Sequence, residues 1–356
     1  MFQPNFQISP RLSKALMETE ACRQAVSDLP ITVTLLDSLR KSARLVSTHY
    51  STQIEGNRLT QQQVQEVVLQ GGTFPNRERD EQEVRNYYRA LDYVDFLIND
   101  GGELTEGQVR SLHELVMTGK EKPTPYRDGQ NVIRDSASSS IVYMPPEAKD
   151  VPKLMTELFT WLSSERTSRD LPAPVMAGLA HYQFATVHPY YDGNGRTARL
   201  LTNLLLHQAG YGLKGIYSLE EYYALDLGEY YKALSVGPSH NYYMGRESAD
   251  LSRWLEYFCL GMADAFSAVR ARAVEEAKKQ KPDQAKTLKK LDARQRQALM
   301  LFESEPYITT KQIADHLGIH RRTALNLCNS WVKSGFLIQY GEARKSRKYG
   351  LASEGG

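Results

Sequence analysis

Apolar residues recur at spacings of three and four along most of this chain, the signature of helices that bury one face. The pattern is strong in ITVTLLDSLRKSARLVSTHYSTQI, in VRNYYRALDYVDFLI from Val84 to Ile98, and in the long stretch from Ala249 to Lys279. It stops at Asn99, Asp100, Gly101 and Gly102, where consecutive turn formers interrupt it, and a second unit is expected from about Leu104. One segment breaks the helical rule. In PYRDGQNVIRDSASSSIVYMPPEAKD, Asn131 to Ile133 and Ile141 to Met144 flank a Ser-rich turn and end on Pro145 and Pro146, which predicts a short β-hairpin. The stretch QKPDQAKTLKK has few apolar anchors and is expected to be a linker over residues 278–290.

The tail repeats a different order. A helix near Ala293 to Glu303 precedes a short helix capped by Thr310, a break at Gly318 and a second helix from about His320. Phe336 to Tyr340 and Arg347 to Leu351 then read as two strands around a basic loop, so residues 291–356 are expected to form a winged helix-turn-helix domain. The remaining expected divisions are 1–102, a helical region, and 103–277, a core with its following helices. The expected class is mainly α.

Composition narrows this only slightly. Hydrophobic residues make up 41% and charged residues 24% of 356, which argues against disorder or a fibrous repeat. Cys22, Cys259 and Cys328 are too scattered for a zinc cluster or disulfide framework, and three buried thiols in a reducing cytoplasm are expected. The start, MFQPNFQISPRL, has no export pattern, and no apolar run reaches the ~18 residues of a membrane span. The net charge of +2 is uneven. Residues 281–356 hold 14 Lys and Arg against 7 Asp and Glu, a basic excess that fits either a nucleic-acid footprint or a solvated surface.

Chemistry concentrates in PVMAGLAHYQFATVHPYYDGNGRTARLLTNLLLHQAG. One helix from about Pro174 to Thr186 ends near His188 and Pro189, and another begins after Gly195. Gly193 and Gly195, separated by Asn194, allow the intervening loop to turn backbone N–H groups toward one point at a helix entry, where the macrodipole also favours an anion. Arg196 and Arg199 lie three apart, on one face of the first turn, and can both fork onto one polyphosphate. Asp192 is a hard oxygen ligand suited to magnesium, and His188 is a base able to accept a proton near neutral pH. Singly, a His is more often structural and a GNG more often a turn; within twelve residues the set points to phosphate chemistry. His49, His113 and His181 sit beside no second ligand or glycine loop and are expected to be structural.

HPYYDGNGRTAR, residues 188–199, resembles the signature of the Fic family, with Tyr190 in place of the more usual Phe and Ala198 in place of a common Gly. The resemblance covers roughly residues 30–270 and implies a Fic-type helical bundle with a small β-hairpin flap. It implies an adenylyltransferase that moves AMP from ATP to a Ser, Thr or Tyr hydroxyl of a protein, the chain itself included. In that scheme His188 takes the hydroxyl proton, Asp192 holds Mg²⁺, Gly193, Asn194, Gly195 and Arg196 cradle the phosphates, Thr197 and Ala198 also bind ATP, and Arg199 orients the γ-phosphate. The flap, Ser140, Ile141, Val142 and Tyr143, would register the target peptide as an added strand beside ATP. Tyr230 and Tyr231 match an aromatic pair near the nucleotide base, with helical core packing the equal alternative, and Pro238 stands where some relatives carry Asn.

STQIEGN, Ser51 to Asn57, resembles the family's inhibitory motif, which implies that Glu55, helped by Ser51, pairs with Arg199 and occupies the place of the γ-phosphate. The resemblance also implies a homodimer. A different class of function takes the tail as primary: a DNA-binding regulator with a nucleotide-sensing domain, in which His320, Arg321, Arg322 and Thr323 open a recognition helix and Arg344, Lys345, Arg347 and Lys348 form a wing. Many winged helices contact protein instead. Transfer of phosphocholine or phosphate is a third option, less suited to Arg199 and Glu55.

Overall fold

The computed structural model describes residues 2–29, 31–134, 140–279, 291–303, 307–341 and 347–352. Described residues within Met1–Asp28 and Leu39–Arg272 form one compact unit, and those within Leu29–Ser38 and Ala273–Gly356 a second. The fold is mainly α with two small antiparallel hairpins.

The first unit draws on helices α1 (Pro10–Asp28), α2 (Val33–Ile54), α3 (Gln61–Gln70), α4 (Glu78–Asp100), α5 (Glu106–Thr118), α6 (Val151–Ser168), α7 (Ala173–Val187), α8 (Asn194–Gln208), α9 (Leu219–Leu225), α10 (Leu227–Leu234) and α11 (Ser252–Lys279). α7 is the central element. Its sequence is apolar on nearly every side and nearly every residue is buried, as an all-round hydrophobic helix requires. α7 packs on α6 and α8, and Gly178 lets α11 close in: Trp254 Nε1 donates to the Gly178 carbonyl at 2.7 Å.

The boundary expected at residue 102 separates no cores. The helix does end there, with Gly101 in the left-handed region at φ 67°, but Tyr87, Leu91 and Val94 of α4 share one core with Leu112 and Leu115 of α5 and Leu200 and Leu204 of α8. The turn signal at Asn99–Gly102 was a helix stop, and amphipathic faces on both sides of it bury against each other. The lower end expected for the linker is also displaced, since the division between units falls within α11 at Arg272 and Ala273. Of the expected linker, residues 280–290 lie outside the described residues.

The flap consists of β1 (Ile133–Arg134) and β2 (Ile141–Tyr143), paired Ile133 to Tyr143 and Arg134 to Ile141, with Val142 as an extra residue between. The bulge and the strand bounds differ from the short hairpin expected over Asn131–Ile133 and Ile141–Met144. Its Ser-rich turn, 135–139, lies outside the described residues.

In the second unit α12 (Ala293–Leu299), α13 (Thr310–Leu317) and α14 (Arg321–Lys333) precede β3 (Leu337–Tyr340) and β4 (Lys348–Leu351), which pair in regular antiparallel register. Ala298, Ile313, Ala324, Cys328, Trp331 and Tyr349 form a core of their own. The first of the paired helices is capped by Thr309, whose hydroxyl accepts from Gln312 N, and not by Thr310; Gln312 at the third helical position completes the capping box. Gly318 at φ 62° ends it, and His320 caps the next. Arg344 and Lys345 of the expected wing lie outside the described residues.

Candidate active site

The turn between α7 and α8 is held by its own side chains. His188 ends α7 in a left-handed conformation, φ 50°, and its N–H still reaches the Phe184 carbonyl at 3.1 Å. Asn194 then clamps the loop: its Oδ1 accepts from Tyr190 N at 2.9 Å and its Nδ2 donates to Tyr190 O at 2.8 Å. Thr197 Oγ1 donates to Gly193 O at 2.9 Å. The side chain of Asn194 is therefore spent on the loop, so Asn194 offers a phosphate only its backbone N–H.

The glycines are required by crowding. Gly193 has φ 76°, and a Cβ there would lie 2.6 Å from Met117 Sδ. At Gly195 a Cβ would lie 2.3 Å from Glu55 Oε1 and 3.1 Å from Arg199 Nη1. A carboxylate oxygen thus sits over the first turn of α8, where the N–H groups of the opening residues lack intrahelical acceptors.

That carboxylate belongs to the end of α2. The helix stops because Gly56 turns left-handed at φ 92°. Its last turns carry an unusual buried polar face. Thr48 and Thr52 return their hydroxyls to the Arg44 and Thr48 carbonyls, both at 2.8 Å, which leaves Ser51 to act outward. Arg199 Nε donates to Ser51 Oγ at 2.8 Å, and Nη2 donates to Ser51 O at 2.9 Å and to Glu55 Oε1 at 2.8 Å. The Arg199 side chain is 1% exposed and that of Glu55 26%. Burial, the largest influence, opposes the charge on Arg199, but the Glu55 carboxylate together with Tyr230 and Tyr87 lifts the guanidinium above its usual range.

Arg196 is equally buried yet turned to the other side, where its Nη2 meets Asp192 Oδ1 at 3.3 Å and its Nε has no partner among the described residues. Asp192 is half exposed and also accepts from Gly193 N at 2.6 Å. Among the described residues no group of three or more His, Cys, Asp or Glu could hold a metal unaided. A lone accessible carboxylate fits Mg²⁺ shared with phosphates, and does not fit a zinc site.

His188 is half-buried, and burial pushes its imidazole down to about 4, against the raising effect of a hydrogen bond to the Ala185 backbone. It is neutral at pH 7, the state a proton acceptor needs.

Two residues that matter here were not legible in the sequence. Arg127 is 3% exposed, and among the described residues its side chain bonds only carbonyls: Nε donates to His188 O at 2.9 Å, Nη1 to Gly129 O at 3.1 Å and Nη2 to Pro146 O at 2.5 Å. It joins the His188 backbone to the segments on both sides of the flap. His113, expected to be structural and remote from the glycines, stacks on Tyr190 with ring centres 3.5 Å apart and contacts Asp192 O through Nε2 at 2.9 Å. A carbonyl only accepts, so Nε2 carries the hydrogen. His181 is structural as expected, fully buried between Thr202 Oγ1 at 2.9 Å and the Tyr230 hydroxyl at 3.0 Å. His49 is buried beside Tyr50.

Tyr230 is corrected. Its ring is 2% exposed, stacked on Tyr223 at 4.7 Å and bonded to His181, so core packing claims it. Tyr231, 46% exposed and reaching the Ile54 carbonyl at 3.5 Å, is the ring beside the end of α2. In the flap, Ser140, Ile141 and Val142 are exposed, while Tyr143 is buried with its hydroxyl on Thr186 O at 2.7 Å, which ties the strand to the last turn of α7. Thr197 and Ala198 are fully buried behind the loop and support it without facing an anion.

The sequence model of the Fic/DOC family matches residues 103–206. The chain is 31% identical over 199 residues to the protein adenylyltransferase Fic of Drosophila erecta, an alignment covering 56% of this chain and 39% of that protein. It thus spans well under half the length of the curated relative. In structure it is similar over 100% of both chains to a Fic family protein from Desulfovibrio desulfuricans G20, with a TM-score of 0.62 and 23% identity. It is similar over 75% of its length to 73% of a chain of Fic-1 (aa134–508) from C. elegans, with a TM-score of 0.59 and 23% identity. The histidine at the helix end, the self-clamped glycine loop and the arginine pair all lie within residues 103–206, the stretch that matches the Fic/DOC family model.

Proposed function

We propose that this chain is a protein adenylyltransferase that moves AMP from ATP to a Ser, Thr or Tyr hydroxyl, and that the end of α2 inhibits it. The observation that carries the reading is the Glu55 carboxylate, which lies over Gly195 at the entry of α8 and pairs with Arg199 at 2.8 Å. A helix entry with a buried arginine beside it is an anion site, and a carboxylate of the chain's own holds it. When α2's end withdraws, Arg199 keeps its charge and presents its donors to a γ-phosphate, and the N–H groups opening α8 face the rest of the triphosphate.

The steps assigned to this chain's residues follow. His188, neutral because burial lowers it, accepts the proton of the incoming hydroxyl as that oxygen bonds the α-phosphorus. The bond from the α-phosphorus to the bridging oxygen breaks and pyrophosphate leaves. Arg199 and the α8 entry hold the departing phosphates in line. Asp192 would hold Mg²⁺, which neutralises phosphate charge when bound. Ile141 and Val142, exposed on a two-stranded edge, suit addition of a target segment as a further strand. The exposed ring of Tyr231 suits the nucleotide base better than Tyr230 does.

The tail adds a second activity to this reading. His320, Arg321, Arg322 and Thr323 are all exposed at the start of α14, ahead of the hairpin, the arrangement of a winged helix that contacts DNA or protein. Cytoplasmic location and a homodimer complete the proposal.

Incubation of the full chain and of Glu55→Gly with α-labelled ATP and magnesium, alone and with a bacterial lysate, tests the transferase. Label on protein that is absent with His188→Ala supports it. Duplex affinity without label transfer in any form would favour the nucleotide-sensing regulator.

A further inference from the structure

α2 and α8 meet at Arg199, which bonds Ser51 and, just past the end of α2, Glu55, and further along Arg40, Ala43, Arg44 and Ser47 of α2 and Asn203 and His207 of α8 line a common cleft. The cleft has a volume of about 330 Å³. That volume is at the lower end for small-molecule sites, about 300–1,000 Å³. The cleft shares Asn203 and Tyr217 with a void of about 10 Å³ that is lined by Arg199 itself, room for roughly one water.

The walls of the cleft differ in kind. Leu91, Val94 and Ile98 of α4 make one side apolar, and the ring of Tyr217, stacked at 5.7 Å on His207, adds a flat plate. Arg40 and Lys214 supply positive charge opposite. Arg44 pairs with Asp92 and Asp95, and its buried Nε has no partner. Arg40 spends only Nε, on the Lys214 carbonyl at 2.6 Å, and among the described residues its Nη atoms bond nothing. That carbonyl sits in a strained turn: Leu213, Lys214 and Gly215 have φ of 43°, 56° and 77° in succession. Two adjacent non-glycine residues in the left-handed region cost energy and persist only where the surroundings impose them, most often at binding sites.

We propose that this cleft binds a small organic anion, a phosphate or carboxylate on an apolar body, and that its occupancy tightens the hold of Glu55 on Arg199. The charged group meets Arg40 and Lys214, and the body lies between the α4 side chains and Tyr217. Arg40, Ala43, Arg44 and Ser47 form a wall only while α2 is docked, so a ligand that uses them favours the docked state and opposes ATP. The regulatory half rests on the inhibitory reading of Glu55; the binding half does not.

The full chain, with labelled Leu, Val and Ile methyls, is titrated with phenyl phosphate, with phenol and inorganic phosphate as controls. Phenyl phosphate is expected to shift Leu91, Val94 and Ile98 saturably and far more than either control. Arg40→Gln and Lys214→Asn, the latter a residue that tolerates φ near 56°, should each weaken binding roughly tenfold, and Arg40→Lys by less. Unmoved cleft methyls, or equal binding by the charge-removing variants with unchanged melting temperature, overturn the site. Phenyl phosphate should also lower ATP affinity severalfold in the wild type and not in Glu55→Gly; equal effects in both overturn the regulatory half. If Glu55→Gly alone leaves ATP affinity unchanged, the Glu55 reading fails while the methyl shifts still decide the cleft.

Discussion

The loop at His188–Arg196 and the helix end at Ser51–Gly56 meet at the same point, yet they are held in opposite ways. Many of the loop's bonds are local: Asn194 to Tyr190, Thr197 to Gly193, and Asp192 to Gly193 and Arg196 all span four residues or fewer, while His113 and Arg127 hold the Asp192 and His188 carbonyls from farther off. The helix end reaches α8 through Arg199, across 144 residues to Glu55 and 148 to Ser51. The short-range bonds make the loop's shape depend little on the end of α2. A contact made by one ion pair and two hydrogen bonds can be exchanged for another anion without disturbing that shape. The two arginines embody this, since Arg196 belongs to the loop and Arg199 to whatever occupies the helix entry.

The largest effect should come from inside the loop. His188→Ala is expected to lower AMP transfer by ~10²–10⁴-fold while ATP affinity, measured by calorimetry, stays near wild type. Transfer at the wild-type rate would remove the catalytic role and with it the functional half of the comparison.

Next is the helix end. Glu55→Gly should tighten ATP binding and raise transfer, by roughly 5–150-fold if the contact is a typical coupling between sites. It should also lower the melting temperature, because the buried Arg199 loses its counter-charge. Arg199→Ala should depress transfer even with Glu55→Gly, and the effects should not add. Unchanged affinity in Glu55→Gly would make the motif an ordinary helix stop.

Arg127 tests whether the loop is as self-sufficient as its local bonds suggest. Arg127→Met leaves the His188 and Pro146 carbonyls without their donor and should reduce kcat on the order of tenfold to a hundredfold with KM for ATP little changed. A rise in KM alone would place its role in nucleotide binding instead of in setting the base and flap.

The smallest effect is on pH. Burial lowers His181 to about 3 and His207 to about 4, so both are protonated more readily in the unfolded chain. Groups with depressed folded values stabilise the fold above their unfolded value, near 6.5, and that stability is lost as pH falls toward 4. The melting temperature should therefore drop between pH 7 and pH 4, and His181→Asn should flatten the slope. Above about pH 5, His188 remains neutral and transfer should vary little on its account.

The hairpins show what periodicity could and could not reveal. Segments flanking polar turns placed both, but the bulge at Val142 had no sequence signal, and neither did the bond from Tyr143 to the Thr186 carbonyl beside it. His113 and Arg127 were invisible for a similar reason. Nothing near them in the chain marks them, and their partners, Asp192 and His188, lie 79 and 61 residues away. Tyr230 and Tyr231 are neighbours with the same chemistry, and only packing decides that the first faces the core and the second the solvent.

The sequence by itself determined the helices, the stop at Gly56, the glycine entry to α8 and the pairing of a histidine with two arginines, because periodicity, left-handed glycine and helix-end chemistry are local properties. Tertiary structure alone decided that α4 shares a core with α5 and α8, that Arg127 fixes the backbone of His188, and that the carboxylate of Glu55 rests over Gly195. Each of these is a contact between distant segments, set by which faces can be buried together, and no local rule fixes that choice.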